Sequence, residues 1–245
     1  MSQPALTIPR DGLAARWLST ALADFDSGVV VSVVPGEFDA YVRILHPGRI
    51  FDGTTPEGRP VTWAEIARAE GCETSADAQW HSSEGVGDSQ HVIGASWSGS
   101  GPEIGLGREV LGKLCKVLAK NTAVVECCYF GIWTGWGTED YAALWRAVGK
   151  RSGAEIPRFG LPRHAGRDYL LLGGPLKSAV ELVEKDLMHT SPNYIWPSDK
   201  TWCLVTDIDF DSTLVGGSDS LIKEIIAEDR IETWRVGRSD AVKGF

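Results

Sequence analysis

The run Trp202-Cys203-Leu204-Val205-Thr206-Asp207-Ile208-Asp209-Phe210-Asp211 sets apolar residues against regularly spaced acids, then passes through Gly216-Gly217-Ser218 into a stretch of helical spacing, Leu221 to Ile226. Read as one strand, it puts Leu204, Thr206, Ile208 and Phe210 on one face and Asp207, Asp209 and Asp211 on the other, because side chains alternate across a strand. A half-polar strand argues against a doubly wound sheet, whose parallel strands are apolar on both faces. The fold expected is therefore α+β, a single domain over 1–245 with a mixed β-sheet flanked by helices; an α/β open sheet is the alternative.

The same theme of strand, glycine turn and helix recurs upstream. Ala123 to Trp133 runs through Gly135-Trp136-Gly137-Thr138 into Tyr141, Leu144, Trp145 and Val148, and Asp168 to Leu172 runs through Gly173-Gly174-Pro175 into Leu176 to Leu187. Aligned at their Gly-Gly pairs, the last two units superpose Leu172 with Val215, Glu181 with Glu224 and Leu182 with Ile225, a spacing of 43 residues. Duplication and convergence on good strand-to-helix chemistry both account for it. A final strand, Ile231 to Val236, would close the sheet.

In the N-terminal half, Leu13, Trp17, Leu18 and Leu22 have helical spacing within 10–25, and the β-branched run Val29 to Val34 reads as a buried strand ended by Pro35-Gly36. Asp39 to Leu45 is a second strand, stopped by His46-Pro47-Gly48, and 52–60 is rich in turn residues. Thr62-Trp63-Ala64-Glu65 is a capping box and Gly71 a stop, which together predict a helix over 63–70. Residues 82–105 hold six Gly and six Ser, a composition that predicts a flexible loop. Leu106, Val110, Leu111, Leu114, Val117 and Leu118 then mark a helix.

Composition narrows the function classes. A net charge of -9 does not make the basic footprint that a nucleic-acid or anionic-membrane surface needs. Met1 is followed by no apolar leader, and no run approaches the roughly 18 apolar residues of a membrane-spanning helix, so a cytoplasmic protein with no membrane partner is expected. The five Cys, at 72, 115, 127, 128 and 203, make no Cys-x-x-Cys pair and read as free thiols. The ten Trp, spread along the whole chain, read as core and rim packing.

Three sets of residues carry candidate chemistry. Asp207, Asp209 and Asp211, about 6.7 Å apart on a strand face, would repel by roughly 0.6 kcal/mol per neighbouring pair in water and about 2.5 kcal/mol at an effective dielectric of 20. They must be solvated, paired with Arg or Lys, or bound to a hard cation such as Mg²⁺ or Ca²⁺. Phe210 and Leu214 occupy positions where an EF-hand needs polar residues and its turn glycine, which removes that motif. The second set is basic: residues 146–167 hold Arg146, Lys150, Arg151, Arg158, Arg163 and Arg167 against Glu155 alone, a patch fit for phosphate, carboxylate or an acidic partner, or for neutralising the aspartates. Trp133 and Trp136, which flank a glycine turn, would supply an aromatic wall. Third, each glycine turn offers backbone amides at a helix N-terminus, although neither a Walker loop nor Gly-x-Gly-x-x-Gly is present. His46, His81, His91, His164 and His189 form no metal-binding spacing, and Gly94-Ala95-Ser96-Trp97-Ser98 misses the nucleophile elbow at its last glycine.

The phrases Tyr41-Val42-Arg43-Ile44-Leu45-His46-Pro47, Thr62-Trp63-Ala64-Glu65, Trp133-Thr134-Gly135-Trp136-Gly137, Gly174-Pro175-Leu176 and Thr213-Leu214-Val215-Gly216-Gly217-Ser218 resemble, along nearly the whole chain, a group of uncharacterised proteins frequent in high-GC Gram-positive bacteria. The resemblance implies a single bacterial cytosolic unit and carries no activity, cofactor or site residue. From the residues themselves two functions are expected. One is a non-catalytic binding protein that recognises an anionic ligand or an acidic protein surface through Arg158, Arg163 and Arg167, with Trp133 and Trp136 in the wall and no cofactor. The other is a metal-dependent hydrolase or phosphotransfer enzyme in which Asp207, Asp209 and Asp211 hold Mg²⁺ or Ca²⁺.

Overall fold

A computed structural model describes residues 5–56, 58–81, 92–136, 144, 148, 155–161, 166–184, 188 and 190–242. Its strands are β1 (Ala40–Leu45), β2 (Gly48–Ile50), β3 (Arg59–Val61), β4 (Gln79–Trp80), β5 (Val92–Ile93), β6 (Cys128–Trp133), β7 (Arg158–Leu161), β8 (Arg167–Gly174), β9 (Tyr194–Pro197), β10 (Cys203–Thr206), β11 (Ser212–Gly217) and β12 (Thr233–Val236). The helices are α1 (Leu18–Ala21), α2 (Val30–Val33), α3 (Trp63–Glu70), α4 (Arg108–Lys120), α5 (Ser178–Glu184) and α6 (Asp219–Ile226). Eight strands form one sheet in the order β12-β1-β11-β10-β9-β6-β8-β7.

That order divides into two copies of one topology. Residues 128–197 run β6, a connection containing the helical residues Leu144 and Val148, then β7, β8, α5 and β9, in the spatial order β9-β6-β8-β7. The flanking chain supplies β1, α4, β10, β11, α6 and β12, in the order β12-β1-β11-β10. Numbered within each unit, both are 4-1-3-2, the split βαβ arrangement of ferredoxin-like units. The second copy is inserted in the first, between α4 and β10, and antiparallel pairing of Leu204 with Ile195 joins them. The registers match as well: Tyr41 faces Gly216 and Ala40 faces Gly217 in one unit, while Tyr129 faces Gly173 and Cys128 faces Gly174 in the other. The 43-residue echo in the sequence thus marks equivalent positions. Gly216 is required there by close approach, since a Cβ would lie 2.4 Å from the Phe38 ring.

The α+β class and the helix-flanked sheet agree with the sequence reading. Strands joined through a helix do run parallel, β8 with β9 and β11 with β12, but each pair is separated by an antiparallel strand. Every hydrogen-bonded pairing in the eight-stranded sheet is therefore antiparallel. Helices α4, α5 and α6 cover one face, over Val42, Phe130, Leu172, Ile195, Leu204 and Val215. The N-terminal segment covers the other, where Leu18, Val30 and Val33 pack on Tyr169, Tyr194, Trp196, Cys203 and Val205. Burial on both faces is worth roughly 1.5–3 kcal/mol for each large side chain, so a charge at Val205 would unfold the centre of the sheet.

Local signals place some elements and miss others. Helix α3 spans the predicted 63–70, with Thr62 Oγ1 accepting from Glu65 N–H at 3.2 Å, Glu65 accepting from Thr62 N–H at 2.8 Å, and Gly71 at φ 76°. Glu232 adds a second cap, accepting from the Trp63 and Ala64 amides at 2.6 and 2.9 Å. The expected strand Val29–Val34 is instead the single-turn helix α2, held by Val30 and Val31 N–H donating to the carbonyls of Asp240 and Arg238. These distant acceptors override the β preference of a valine run. The helix expected over 10–25 is broken into a 3₁₀ turn at Leu13–Ala15, α1, and another 3₁₀ turn at Phe25–Ser27. Of the Gly/Ser-rich stretch, 82–91 lies outside the described residues. From Val92 on, the chain is tied down by β5 and by a bridge between Ser100 and Arg49. All five cysteines are free thiols.

Candidate functional site

The aspartates do not lie along a strand. Strand β10 ends at Thr206, β11 begins at Ser212, and 207–211 is the hairpin turn between them, with Phe210 N–H donating to the Asp207 carbonyl at 3.3 Å. The apolar alternation that looked like one strand comprises a strand end and a turn whose Phe210 tucks into the N-terminal layer. Asp207 and Asp211 are buried, Asp209 exposed.

Each buried carboxylate faces its own guanidinium. Arg167 Nη1 donates to both oxygens of Asp207, at 2.7 and 2.6 Å, and Nη2 donates to Asp209. The guanidinium carbon lies 5.4 Å from the Phe25 ring centroid and 5.8 Å from that of Trp133. Burial alone would lower the Arg167 pKa, yet Asp207 and Asp209 hold it above the usual arginine value. Arg43, on β1, donates from Nη2 to Asp211 at 2.8 Å, from Nε to Ser212 Oγ at 2.9 Å, and from Nη1 to the carbonyls of Ala76 and Ala78 at 3.0 and 2.8 Å. It also lies 5.7 Å over the Trp63 ring. A cation at this turn would first have to displace two guanidinium groups, so the aspartates act as counter-ions. Of the three roles open to them from sequence, pairing with arginine is the one seen.

The expected arginine site is not assembled among the described residues. Arg167 is committed to the turn. Arg158 pairs with Leu170 across the β7–β8 ladder whereas Arg167 pairs with Leu161, so strand alternation sends the two to opposite faces. Arg163, the Trp136 side chain, His91, His164 and His189 lie outside the described residues. Trp133 folds back over Gly135, where a Cβ would meet the indole at 2.1 Å. The glycine turn before α6 offers no vacant anion site, because Ser218 Oγ accepts from Leu221 N–H at 3.2 Å and Asp219 occupies the first turn. Ser96 N–H donates to Glu70, which pins that turn to α3.

A buried polar seam crosses the same end of the central strands. His46, fully buried, contacts the Glu103 carbonyl through Nδ1 at 2.9 Å and Thr213 Oγ1 through Nε2 at 2.8 Å. A carbonyl only accepts, so Nδ1 carries the proton and Nε2 accepts from Thr213, whose oxygen accepts from Thr206 at 2.7 Å. Asn193 continues the seam, donating to the Thr206 carbonyl at 3.0 Å and accepting from Trp133 N–H at 2.9 Å. Burial pushes the His46 pKa down to about 3, the nearby Arg43 charge adding to the effect against the Glu103 hydrogen bond. The imidazole is a neutral connector.

Arg158 lines, with Arg16, a shallow concavity of about 430 Å³ beside the 3₁₀ turn at Leu13–Ala15, and a larger open groove lies elsewhere. Where α4 of one unit meets α5 of the other, a groove of about 860 Å³ is lined from α4 by Arg108, Glu109, Gly112, Lys113, Cys115, Lys116 and Ala119, and opposite by Val125, Glu126, Pro175, Leu176, Lys177, Val180 and Glu181. Lys113 pairs with Glu109 at 2.7 Å, which holds that carboxylate below its usual pKa. Arg108, Lys116 and Lys177 are exposed and have no ion pair among the described residues. Cys115 lines the groove from a buried position, its thiol pushed up to about 12 by burial, with Cys128 nearby. The sequence reading passed over this groove. The available signal was Gly112, a glycine inside an otherwise regular helix.

No helix of the described residues is long and apolar enough to cross a membrane. Comparison with protein-family models, with curated proteins and with solved structures returns no match.

Proposed function

We propose that this is a non-catalytic binding protein that takes an anionic ligand in the groove between α4 and α5. The observation that carries the reading is the set of three exposed cations, Arg108, Lys116 and Lys177, which have no ion pair among the described residues and, with Lys113, outnumber the carboxylates Glu109, Glu126 and Glu181 around a concavity in a chain of net charge -9. A volume near 860 Å³ falls within the roughly 300–1,000 Å³ of small-molecule sites. This favours a small anion over an acidic protein, which would require about 800 Å² of contact on each partner. The groove's chemistry supports binding over catalysis. The Cys115 thiol is held protonated and Glu109 is tied to Lys113 as a weak base, whereas a nucleophile or general base needs a pKa near the working pH. Five free thiols fit a reducing compartment, and we place the protein in the cytoplasm.

The test is a thermal-shift and calorimetric screen of the purified protein with small anions, fatty acids and acidic peptides, repeated on the double variant Lys116→Glu, Lys177→Glu. Binding of an anion by the native protein that falls at least tenfold in the variant supports the reading. An anion bound equally by both proteins removes the groove as its site.

A further inference from the structure

Four cations, Arg108, Lys113, Lys116 and Lys177, line the groove against three carboxylates, Glu109, Glu126 and Glu181, a small positive excess in a chain of net charge -9, and the distribution of polarity within the groove narrows the class of anion. Six of the lining residues, Gly112, Ala119, Val125, Pro175, Leu176 and Val180, have no polar side-chain atom, and Leu176, Val180 and Ala119 belong to or pack against the main core, which makes them the apolar floor. Cys115 beside them stays protonated at neutral pH and behaves as a small apolar group. The cations stand at the exposed rim. A sugar phosphate or nucleotide would put hydroxyls or base edges on a floor whose side chains offer them no partner, and burying polar groups unpaired opposes binding. An anion without a body would leave the floor wet.

Gly112 supports the same conclusion independently. It sits in the interior of a thirteen-residue helix, where glycine is less stable than alanine. Its φ is not in the left-handed region, and nothing lies within 4 Å of the position its Cβ would take. Neither backbone strain nor a close neighbour calls for glycine here. What the missing side chain provides is depth in the middle of the groove.

We infer that the groove binds an anionic amphiphile, one carboxylate or phosphate headgroup at the rim cations Lys116, Lys177 and Arg108 with an apolar chain along the floor beside Gly112. This rests on the anion-binding reading above. The chain is held by area removed from water and the headgroup by charge-assisted hydrogen bonds.

The experiment is calorimetry on the native protein and on Gly112→Leu, with dodecanoate and dodecyl phosphate below micelle formation, dodecanol, glycerol phosphate, and anionic phosphatidylglycerol vesicles. The expected result is that dodecanoate and dodecyl phosphate bind, glycerol phosphate does not, and dodecanol binds at least tenfold more weakly. Gly112→Leu, which extends a side chain into open space and raises helix propensity, should abolish binding with an unchanged circular dichroism spectrum. If glycerol phosphate binds as well as dodecyl phosphate, the amphiphile inference falls and the anion reading stands. Equal affinity for dodecanol and dodecanoate overturns both, and so does binding of none of these. Capture by vesicles without binding of monomeric amphiphile points to a membrane surface and overturns the inference, as does amphiphile binding that Gly112→Leu leaves intact.

Discussion

The aspartate turn at 207–211 and the groove between α4 and α5 are both rich in charge, and they use it in opposite ways. In the turn, Asp207, Asp209 and Asp211 meet Arg167 and Arg43, and the guanidinium groups are further satisfied by a hydroxyl, two carbonyls and three aromatic rings. Both guanidinium groups are committed, and the excess negative charge lies on exposed Asp209. In the groove Arg108, Lys116 and Lys177 stand exposed beside apolar side chains, with no ion pair among the described residues. Whether a charged residue is available to a ligand therefore depends less on how conspicuous it is in the sequence than on whether the fold has already neutralised it. A buried charge must be paired to persist, so acids that end up inside are committed before any ligand arrives.

This contrast breaks hardest at Asp211. Asp211→Ala strands the Arg43 guanidinium, 8% exposed, without its counter-ion, and removal of one partner of a buried pair costs about 3–5 kcal/mol. Denaturant unfolding should show that loss, while any ligand affinity of the groove stays the same. Asp209→Ala, at the exposed end of the same turn, should cost less than about 1 kcal/mol. Equal losses at the two positions would show that the turn does not sort its acids by burial.

The polar seam supplies a pH dependence. His46 has an ordinary pKa of 6.5 when unfolded and about 3 in the folded protein, so between those values the unfolded chain binds the extra proton. The stability due to neutral His46 is fully present above pH 6.5 and is lost as pH falls toward 3, at about 1.4 kcal/mol per unit. Unfolding measured from pH 7 to pH 5 should lose roughly 2 kcal/mol through this group. His46→Gln, which keeps a donor and an acceptor, should flatten that slope even where it lowers stability overall.

The groove responds more gently. Gly112→Ala should stabilise by about 0.5–1 kcal/mol in thermal or denaturant unfolding, because the helix gains and nothing is crowded. A loss of stability instead would mean that the space above Gly112 is needed by the fold itself. Smallest of all, the double variant Lys116→Glu, Lys177→Glu should leave unfolding free energy within about 0.5 kcal/mol of native. That near-zero effect is what separates cations kept for a ligand from the arginines that hold the turn.

The features legible in the sequence are the local ones. The capping box at Thr62 and Glu65, the stop at Gly71 and strand β1 with its end at His46-Pro47-Gly48 depend on residues within a few positions of one another. The alignment of Gly173-Gly174 with Gly216-Gly217 also held information, since both pairs end the third strand of a unit and precede its helix. The hairpin at 207–211 was not legible, because strand alternation and a tight turn flanked by strands read alike until the register of Thr206 with Thr213 is known. The groove left one trace, Gly112, whose meaning depends on what stands across from it.

The α+β class, the capped helix and the position of the glycine turns can be read from the chain without its fold, because propensity, capping and periodicity act between near neighbours. That Arg43 meets Asp211, 168 residues away, that Arg167 meets Asp207, 40 residues away, and that α4 and α5 leave a groove between two interleaved units emerges only in the folded molecule. Such pairings follow from strand order, and strand order is settled by burying both faces of one sheet at once, a condition on the whole chain that no short segment carries.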